Sequence, residues 1–148
     1  MISIVRPTMP RAPFAAELAA WVRAGIVGNG IGGTAADGDA AVVVVPQYLR
    51  AAPALVLAAL ADRDWRGTPV AVTAYGGRDR GRLAVEDARG ILEAGGARVS
   101  PVSLGIDVSA VRRSGFDEAD VLLRDLVLDD LAGRLRTGRT PARSRPRD

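Results

Sequence analysis

The residues best suited to chemistry lie in two loops, each directly after an apolar run. Tyr48 follows the run at residues 40–45, where its phenol ring could lie against a planar ligand or simply pack into the core. Gly76 and Gly77 follow a second run and would let the backbone approach a flat ligand closely. The same loop carries three arginines that could contact a phosphate of a nicotinamide cofactor or line a solvated turn: Arg78, Arg80 and Arg82.

A third loop, residues 6–13, leads directly into a predicted helix. Backbone N–H groups at the start of a helix, together with the positive end of its dipole, can receive a phosphate, and Thr8 and Arg11 could assist. This loop lacks the glycines that usually let a backbone wrap a phosphate, so a proline-stiffened connection is the alternative interpretation.

The composition excludes several classes of catalytic site. The 148 residues include no His and no Cys, which rules out zinc sites, Ser-His-Asp triads and Cys-His dyads. An enzyme of this composition must rely on carboxylates, on Tyr or Arg, or on a cofactor that carries its own chemistry. We therefore expect no metal site, and the sequence assigns no catalytic residue.

The net charge of +3 is concentrated at the end of the chain. Six of the twenty basic residues, all arginines, fall within the last fifteen positions, and residues 1–133 carry fourteen arginines against sixteen acids. We predict one folded domain at residues 1–135 and a disordered Arg-rich tail at residues 136–148. A solvated tail is the favoured interpretation over an anchor for nucleic acid or another acidic partner.

The hydrophobic pattern alternates between strands and helices. Strands are predicted at residues 2–5, 40–45, 69–74 and 99–104, with Pro101 as a bulge or edge position in the last. Helices are predicted to begin near Pro13, Pro53, Arg82 and Asp117. The last helix is predicted to point five side chains inward: Val121, Leu122, Leu126, Leu131 and Leu135. The glycine-rich stretch at residues 25–39 indicates turns, so a second strand there is shortened or missing.

This alternation predicts an α/β fold, a doubly wound parallel sheet of four or five strands with helices on both faces. In such sheets, ligands bind outside the carboxyl ends of the strands, where the strand order reverses. The three loops described above should therefore share one site. No run is long enough to cross a membrane, and we expect a cytoplasmic protein.

The region from Asp39 to Gly96 resembles the NAD(P)H-dependent FMN reductase family, which belongs to the flavodoxin-like superfamily. Family members have a Val/Ile strand, a Pro-Glu-Tyr-Asn-Gly loop, a helix, a Gly-Lys-Pro-Val strand start and a Gly-rich loop. The corresponding residues here follow in the same order: Val42–Val45, Pro46, Gln47 and Tyr48, then Pro53, then Gly67, Pro69 and Val70, then Gly76 and Gly77. Two departures stand out. Leu49 and Arg50 replace the Asn-Gly pair, and Thr8 and Arg11 replace a Gly-Ser phosphate loop.

The resemblance implies a flavodoxin-like protein that holds FMN across the three loops and accepts hydride from NAD(P)H. The implied cofactor-binding residues are Thr8, Met9, Arg11, Pro46, Gln47, Tyr48, Leu49, Arg50, Tyr75, Gly76, Gly77 and Arg78. It also implies a homodimer or homotetramer that reduces a small-molecule acceptor such as a flavin, a quinone or a pathway intermediate. The alternative is a flavodoxin-like binding or assembly protein that has lost cofactor and catalysis, which the altered first loop and the missing strand would suggest.

Overall fold

The sheet is built from parallel strands whose central members are buried on both faces. The computed structural model describes residues 1–7, 12–31 and 39–137. The strands are β1 (Ile2–Val5), β2 (Ala40–Pro46), β3 (Pro69–Gly76), β4 (Arg98–Val99) and β5 (Leu104–Asp107). β1, β2 and β3 are neighbours in that order, and β4 and β5 both pair with the far side of β3. Valine and alanine fill β2 and β3 because such strands need apolar side chains toward both helix layers.

The predicted last strand, residues 99–104, is wrong as a single element. Val99 pairs with Val70 and Leu104 with Thr73, so four residues at 100–103 span the space of two on β3. Pro101 lies in this stretch and cannot donate a ladder hydrogen bond. Side chains hold the break together: Ser100 Oγ donates to Asp130 at 2.5 Å, and Arg89 donates to the Ser100 carbonyl at 2.6 Å. The strand therefore resumes two residues late, as β5.

The helices begin and end at signals that the sequence contains. They are α1 (Pro13–Gly28), α2 (Ala54–Ala61), α3 (Arg82–Ala94), α4 (Val108–Ser114) and α5 (Glu118–Thr137). Pro13 occupies the first turn of α1, where a missing N–H costs nothing. Gly96 follows α3 with φ +84, the left-handed conformation that ends many helices. Asp117 and Asp120 each accept the other's backbone N–H, which forms the predicted cap of α5.

Three details of the predicted helices are wrong. Helix α1 continues through Gly25, where a side chain would meet Arg124 Nε at 2.6 Å, so this glycine makes room for α5 rather than a turn. Helix α4 was not predicted. In α5, Leu122 and Leu126 are 63% and 53% exposed, because the buried face is formed instead by residues spaced for one helical side: Val127, Leu128, Leu131 and Ala132.

Two apolar layers cover the sheet. The α1/α5 face contains Phe14, Leu18 and Val22 of α1, Val127, Leu128 and Leu131 of α5, and the strand residues Val42, Val44, Ala71, Tyr75, Leu104 and Ile106. The α2/α3 face contains Val56 and Leu60 of α2, Ala84, Ala88 and Leu92 of α3, and the strand residues Val43, Val45, Val70, Val72 and Ala74. The predicted doubly wound α/β sheet with helices on both faces is thus confirmed.

The strand order β1-β2-β3 does not reverse among the described residues, so no point of reversal is present there. The first two helices do, however, lie on opposite faces of the sheet. Helix α1, after β1, lies on one face, and α2, after β2, lies on the other. The chain therefore diverges at the carboxyl ends of β1 and β2, which leaves a crevice between the two departing segments. Among the described residues no strand lies beyond β1, and no helix is long and apolar enough to cross a membrane.

Candidate functional site

A cavity of about 240 Å³ opens at the carboxyl rim of the sheet. Its walls come from the ends of β2 and β3, the start of α1 and the short helix α4. The lining residues are Gln47, Tyr48, Tyr75 and Gly76 from the strand ends, Ala12, Pro13 and Phe14 from α1, and Val108 and Arg112 from α4. Carboxyl ends of parallel strands are where ligands bind in open α/β sheets.

The structure brings four of the predicted site residues to this cavity, namely Gln47, Tyr48, Tyr75 and Gly76. The other described ones lie elsewhere. Pro46 is buried as the last residue of β2, whereas Leu49, Arg50, Gly77 and Arg78 are exposed and do not line the cavity. The predicted first-loop residues Thr8, Met9 and Arg11 lie outside the described residues. The second and third predicted loops therefore contribute one wall together.

Gln47 fastens these two loops to each other. Its Nε2 donates to Asp79 Oδ2 at 2.7 Å, and its Oε1 accepts from the backbone N–H groups of Leu83 and Ala84. The last two bonds cap α3, whose N-cap residue, Gly81, has no side chain. The Gln47 amide, followed by the Gly81 N–H, holds the pKa of Asp79 below its ordinary value. The Gln47 side chain is thus engaged by the protein and positions the loops.

The turn after Gln47 has an unusual backbone. Tyr48 and Ala51 exchange two backbone hydrogen bonds, and the two residues between them, Leu49 and Arg50, have φ +49 and +71. Two successive positive φ values are typical of a type I′ turn, for which Asn-Gly is the favoured pair. Leu49 is also fully exposed. The turn therefore keeps the geometry of an Asn-Gly turn with two residues that are strained in it.

Tyr75 was predicted to begin a loop, but it is the next-to-last residue of β3 and only 4% exposed. Its ring meets Phe14 at 5.2 Å between centroids. Its hydroxyl is buried and has no hydrogen-bond partner among the described residues. Burial raises the pKa of Tyr75 far above its ordinary value, the nearby Tyr48 phenol raises it further, and Arg6 opposes both.

Gly76 and two of the three arginines of the third loop contact other residues of the protein. A side chain at Gly76 would meet Gly81 N at 3.2 Å and Gln47 Cβ at 3.3 Å, so this glycine lets the loop close on itself. Arg80 pairs with the buried Asp120, and Arg82 pairs with Glu86 one turn along α3. Arg78 is exposed and has no ion-pair partner among the described residues. Of the three arginines, Arg78 is the one available to a ligand.

Sequence reasoning missed the contribution of α4. Val108 and Arg112 lie four residues apart, so both can face the cavity from one side of this short helix. The signal was present in the sequence. Asp107 accepts the Ala110 N–H as an N-cap, and Gly115 follows the helix with φ +75.

No protein-family model matches the sequence, and no curated protein matches it. Solved structures match its fold. An oxidoreductase from Corynebacterium diphtheriae has a TM-score of 0.65 and 15% identity, over 93% of this chain and 98% of that one. A flavodoxin from Streptococcus pneumoniae has a TM-score of 0.60 and 22% identity, over 92% and 97%. A Fusobacterium nucleatum flavodoxin bound to flavin mononucleotide has a TM-score of 0.58 and 13% identity, over 92% and 96%. The chain thus has the predicted flavodoxin-like fold.

Proposed function

We propose that this chain binds FMN in the rim cavity and acts as an NAD(P)H-dependent reductase of a small acceptor. The flavodoxin-like fold supports the proposal, since one protein that shares it is described as bound to flavin mononucleotide. The sequence resemblance to FMN reductases points to the same cofactor. The lack of His and Cys is compatible with chemistry that a cofactor supplies.

The observation that carries the proposal is the composition of the cavity wall. Three aromatic residues, Phe14, Tyr48 and Tyr75, line a cavity whose walls also include the start of α1 and Arg112. None of its lining residues is an acid. Such a wall suits a ligand with a flat aromatic part and an anionic part. FMN is a ligand of this kind, with a planar ring system and a phosphate monoester.

The described walls fit part of such a ligand. Their volume of about 240 Å³ lies just below the roughly 300–1,000 Å³ of typical small-molecule sites, so a flavin would extend past the rim. Tyr48 is 45% exposed and is the residue best placed to lie against a ring there. The unpartnered Tyr75 hydroxyl offers a donor at the buried end. When bound, FMN would supply the electron-transfer chemistry, while these residues bind it, orient it and exclude water.

Reduction by NAD(P)H would require a second contact outside the cavity. Arg78 is exposed on the loop after β3 and has no ion-pair partner among the described residues, so it is the candidate contact for a nicotinamide cofactor phosphate. The small acceptor and a homodimeric or homotetrameric assembly belong to the same proposal. Arg78→Gln should raise the Michaelis constant for NADPH without changing FMN affinity.

The test is a flavin titration of purified apoprotein, followed by quenching of FMN fluorescence and by calorimetry. We expect saturable binding of one FMN per chain, and weaker binding of adenosine monophosphate, which has a phosphate but a smaller ring system. Anaerobic addition of NADH or NADPH should then bleach the flavin absorbance. A protein that leaves FMN fluorescence unchanged at millimolar concentration would contradict the proposal.

A flavodoxin-like binding or assembly protein without a cofactor is the second candidate. The observation that favours it is the strained turn at Leu49 and Arg50, which presents a fully exposed leucine beside the cavity. This candidate predicts a colourless protein that does not bind added FMN. The same titration therefore decides between the two functions.

A further inference from the structure

Strand β1 is an edge of the sheet, and some of its backbone groups point away from β2. The Ala40 N–H donates to the Met1 carbonyl at 3.0 Å, and the two strands keep that register through Val5. Because the backbone groups of a parallel strand alternate between its two sides, the N–H and C=O groups of Ile2 and Ile4 point to the open side. No other described strand lies on that side. An edge of this kind can pair with the backbone of another strand.

A groove of about 390 Å³ opens beside this edge, between β1 and α1. Its apolar lining consists of Ile4 from β1 and of Ala16, Ala19 and Ala20 from α1. Ile4 therefore lines the groove with its side chain while its backbone groups point to the open side of β1. Side chains of a strand stand roughly perpendicular to the sheet, so a strand added next to β1 would place every second side chain in this groove.

Two arginines also line the groove, and none of its lining residues is an acid. Arg6 follows β1, and Arg23 lies seven residues after Ala16 on α1. Both arginines are exposed, and neither makes an ion pair or a hydrogen bond with another described residue. Helix α1 starts near the carboxyl end of β1 and runs back along it, so Arg6 lies toward one end of the groove and Arg23 toward the other.

The charge of the groove favours one kind of occupant. A second copy of the chain, paired edge to edge, would bring both arginines of each copy together without an acid, and like charges across paired strands are destabilising. The chain's own residues 138–148 contain four arginines and one acid, so their charge has the wrong sign. An extended acidic segment matches both the open backbone groups and the two arginines.

We propose that β1 and the groove beside it bind an extended acidic segment of a partner protein, which joins the sheet as a further strand. In such strand addition, main-chain hydrogen bonds give affinity and pockets for alternate side chains give specificity. Four residues of a strand span about 13 Å, and seven residues of a helix span about 10 Å. The matching pattern is therefore an acid, a small apolar residue two positions later and a second acid two positions after that, with the carboxylates at Arg6 and Arg23.

This inference does not depend on flavin binding, because none of the groove residues lines the rim cavity. Its probe is a synthetic seven-residue peptide with glutamate at the second and sixth positions, valine at the fourth and threonine elsewhere, blocked at both ends. Titrated into the full chain, the peptide should produce saturable shifts of the Ile4, Arg6 and Ala20 amides in ¹H–¹⁵N NMR spectra. Peptides with glutamine or lysine in place of both glutamates should bind about fivefold more weakly or worse. Equal binding of the three peptides, or no shifts with the acidic one at millimolar concentration, would overturn the proposal.

Two methylated forms of the acidic peptide test backbone pairing. Methylation of the valine nitrogen and methylation of the two flanking threonine nitrogens block opposite edges of the added strand. Only one of these peptides should therefore lose affinity, by about tenfold or more. Loss with the methylated valine indicates an antiparallel strand, and loss with the methylated threonines indicates a parallel one. Equal affinities of the two methylated peptides would contradict strand pairing.

Variants of the full chain locate the site. Ala20→Glu fills the groove and places an acid beside Arg23, so it should lower affinity for the acidic peptide about tenfold or more. Ala24→Glu is the matched control, since Ala24 is exposed on the same helix and does not line the groove. Arg6→Gln and Arg23→Gln should each lower affinity about two- to fivefold.

Both alanines are exposed, so the two Glu variants should melt at the temperature of the unmodified protein, which separates lost binding from lost folding. Equal loss of affinity in Ala20→Glu and Ala24→Glu would show that the groove is not the site. Sedimentation of the protein alone decides against the other occupant. A dimer that Ala20→Glu dissociates would assign the edge to a second copy and overturn the proposal.

Discussion

The two faces of the sheet differ in whether their buried polar side-chain atoms have hydrogen-bond partners. On the α2/α3 face the buried side chains are apolar, and the one ring N–H among them, that of Trp65, donates to the Leu60 carbonyl at 2.7 Å. On the α1/α5 face, β3 presents Thr73 and Tyr75 as successive inward residues. These two carry the buried side-chain atoms without hydrogen-bond partners among the described residues.

The difference separates the part of the core that stabilises the chain from the part that borders the cavity. A closed apolar layer contributes free energy of folding and needs no ligand. Unpartnered hydroxyls lower stability, and such departures from good packing concentrate at functional sites. The α1/α5 face should therefore tolerate substitutions that remove polar atoms, whereas the α2/α3 face should tolerate few substitutions of any kind.

The largest effect is expected from truncation on the α2/α3 face. Leu92 of α3 is fully buried, so Leu92→Ala should lower the free energy of unfolding by about 2–5 kcal/mol through lost apolar contact and the cavity left behind. Urea denaturation measures this loss. FMN affinity below the transition should not change, because this face lies on the other side of the sheet from the cavity wall. Leu122→Ala, at an exposed position of α5, is the control and should cost less than about 0.5 kcal/mol.

A stabilising effect is expected in the strained turn at the rim of the cavity. Leu49→Asn combined with Arg50→Gly restores the residues that the type I′ turn prefers, and should raise the free energy of unfolding by about 1–3 kcal/mol. Chemical denaturation of the double variant measures the gain. Ala51→Gly, next to the turn, should not reproduce it. A double variant that is less stable than the unmodified protein would show that the turn is not strained.

The parts of the fold that sequence reasoning recovered were those with local signals. β2 and β3 are buried on both faces, and α3 begins at the predicted residue, Arg82. The errors arose where tertiary contacts decide. Gly25 continues α1 because Arg124 of α5 fills the space beside it, and the break at residues 100–103 depends on Asp130 and Arg89.

Part of the site could be predicted from the sequence for the same reason. Tyr48, Gln47 and Gly76 follow buried strands, so their place at the carboxyl rim follows from the strand pattern alone. The side-chain bonds of Gln47 to α3 could not be read, since they depend on how two loops meet. The role of Arg112 depends on α4 lying beside the start of α1, which no spacing in the sequence encodes.

A smaller stabilising effect is expected at Thr73, on the α1/α5 face of the sheet. Thr73→Val replaces an unpartnered hydroxyl with a methyl group of similar size, so the free energy of unfolding should rise by about 1 kcal/mol. Thermal and urea denaturation measure the gain. Val72→Thr places a hydroxyl on the α2/α3 face at the neighbouring residue and should lower stability instead. Equal effects of the two substitutions would remove the distinction between the faces.

The smallest effect is expected at Asp130 of α5, whose carboxylate accepts a hydrogen bond from Ser100 at the break in the strand. This effect should depend on pH. Burial would raise the pKa of Asp130, but hydrogen bonds from Ser100 and Arg134, together with the Arg134 charge, outweigh it and hold the pKa below its ordinary value. A carboxyl whose pKa is lower in the folded chain contributes stability above its unfolded pKa of about 4, and loses it as pH falls through the folded value.

Asp130→Asn should therefore lower stability at pH 6 by less than about 1 kcal/mol, given its partial exposure, and this difference should shrink toward pH 2.5. Urea denaturation at both pH values measures the change, with Asp129→Asn, at the exposed neighbouring position, as the control. A difference that stays constant between pH 6 and pH 2.5 would mean that Asp130 acts through packing rather than through its charge.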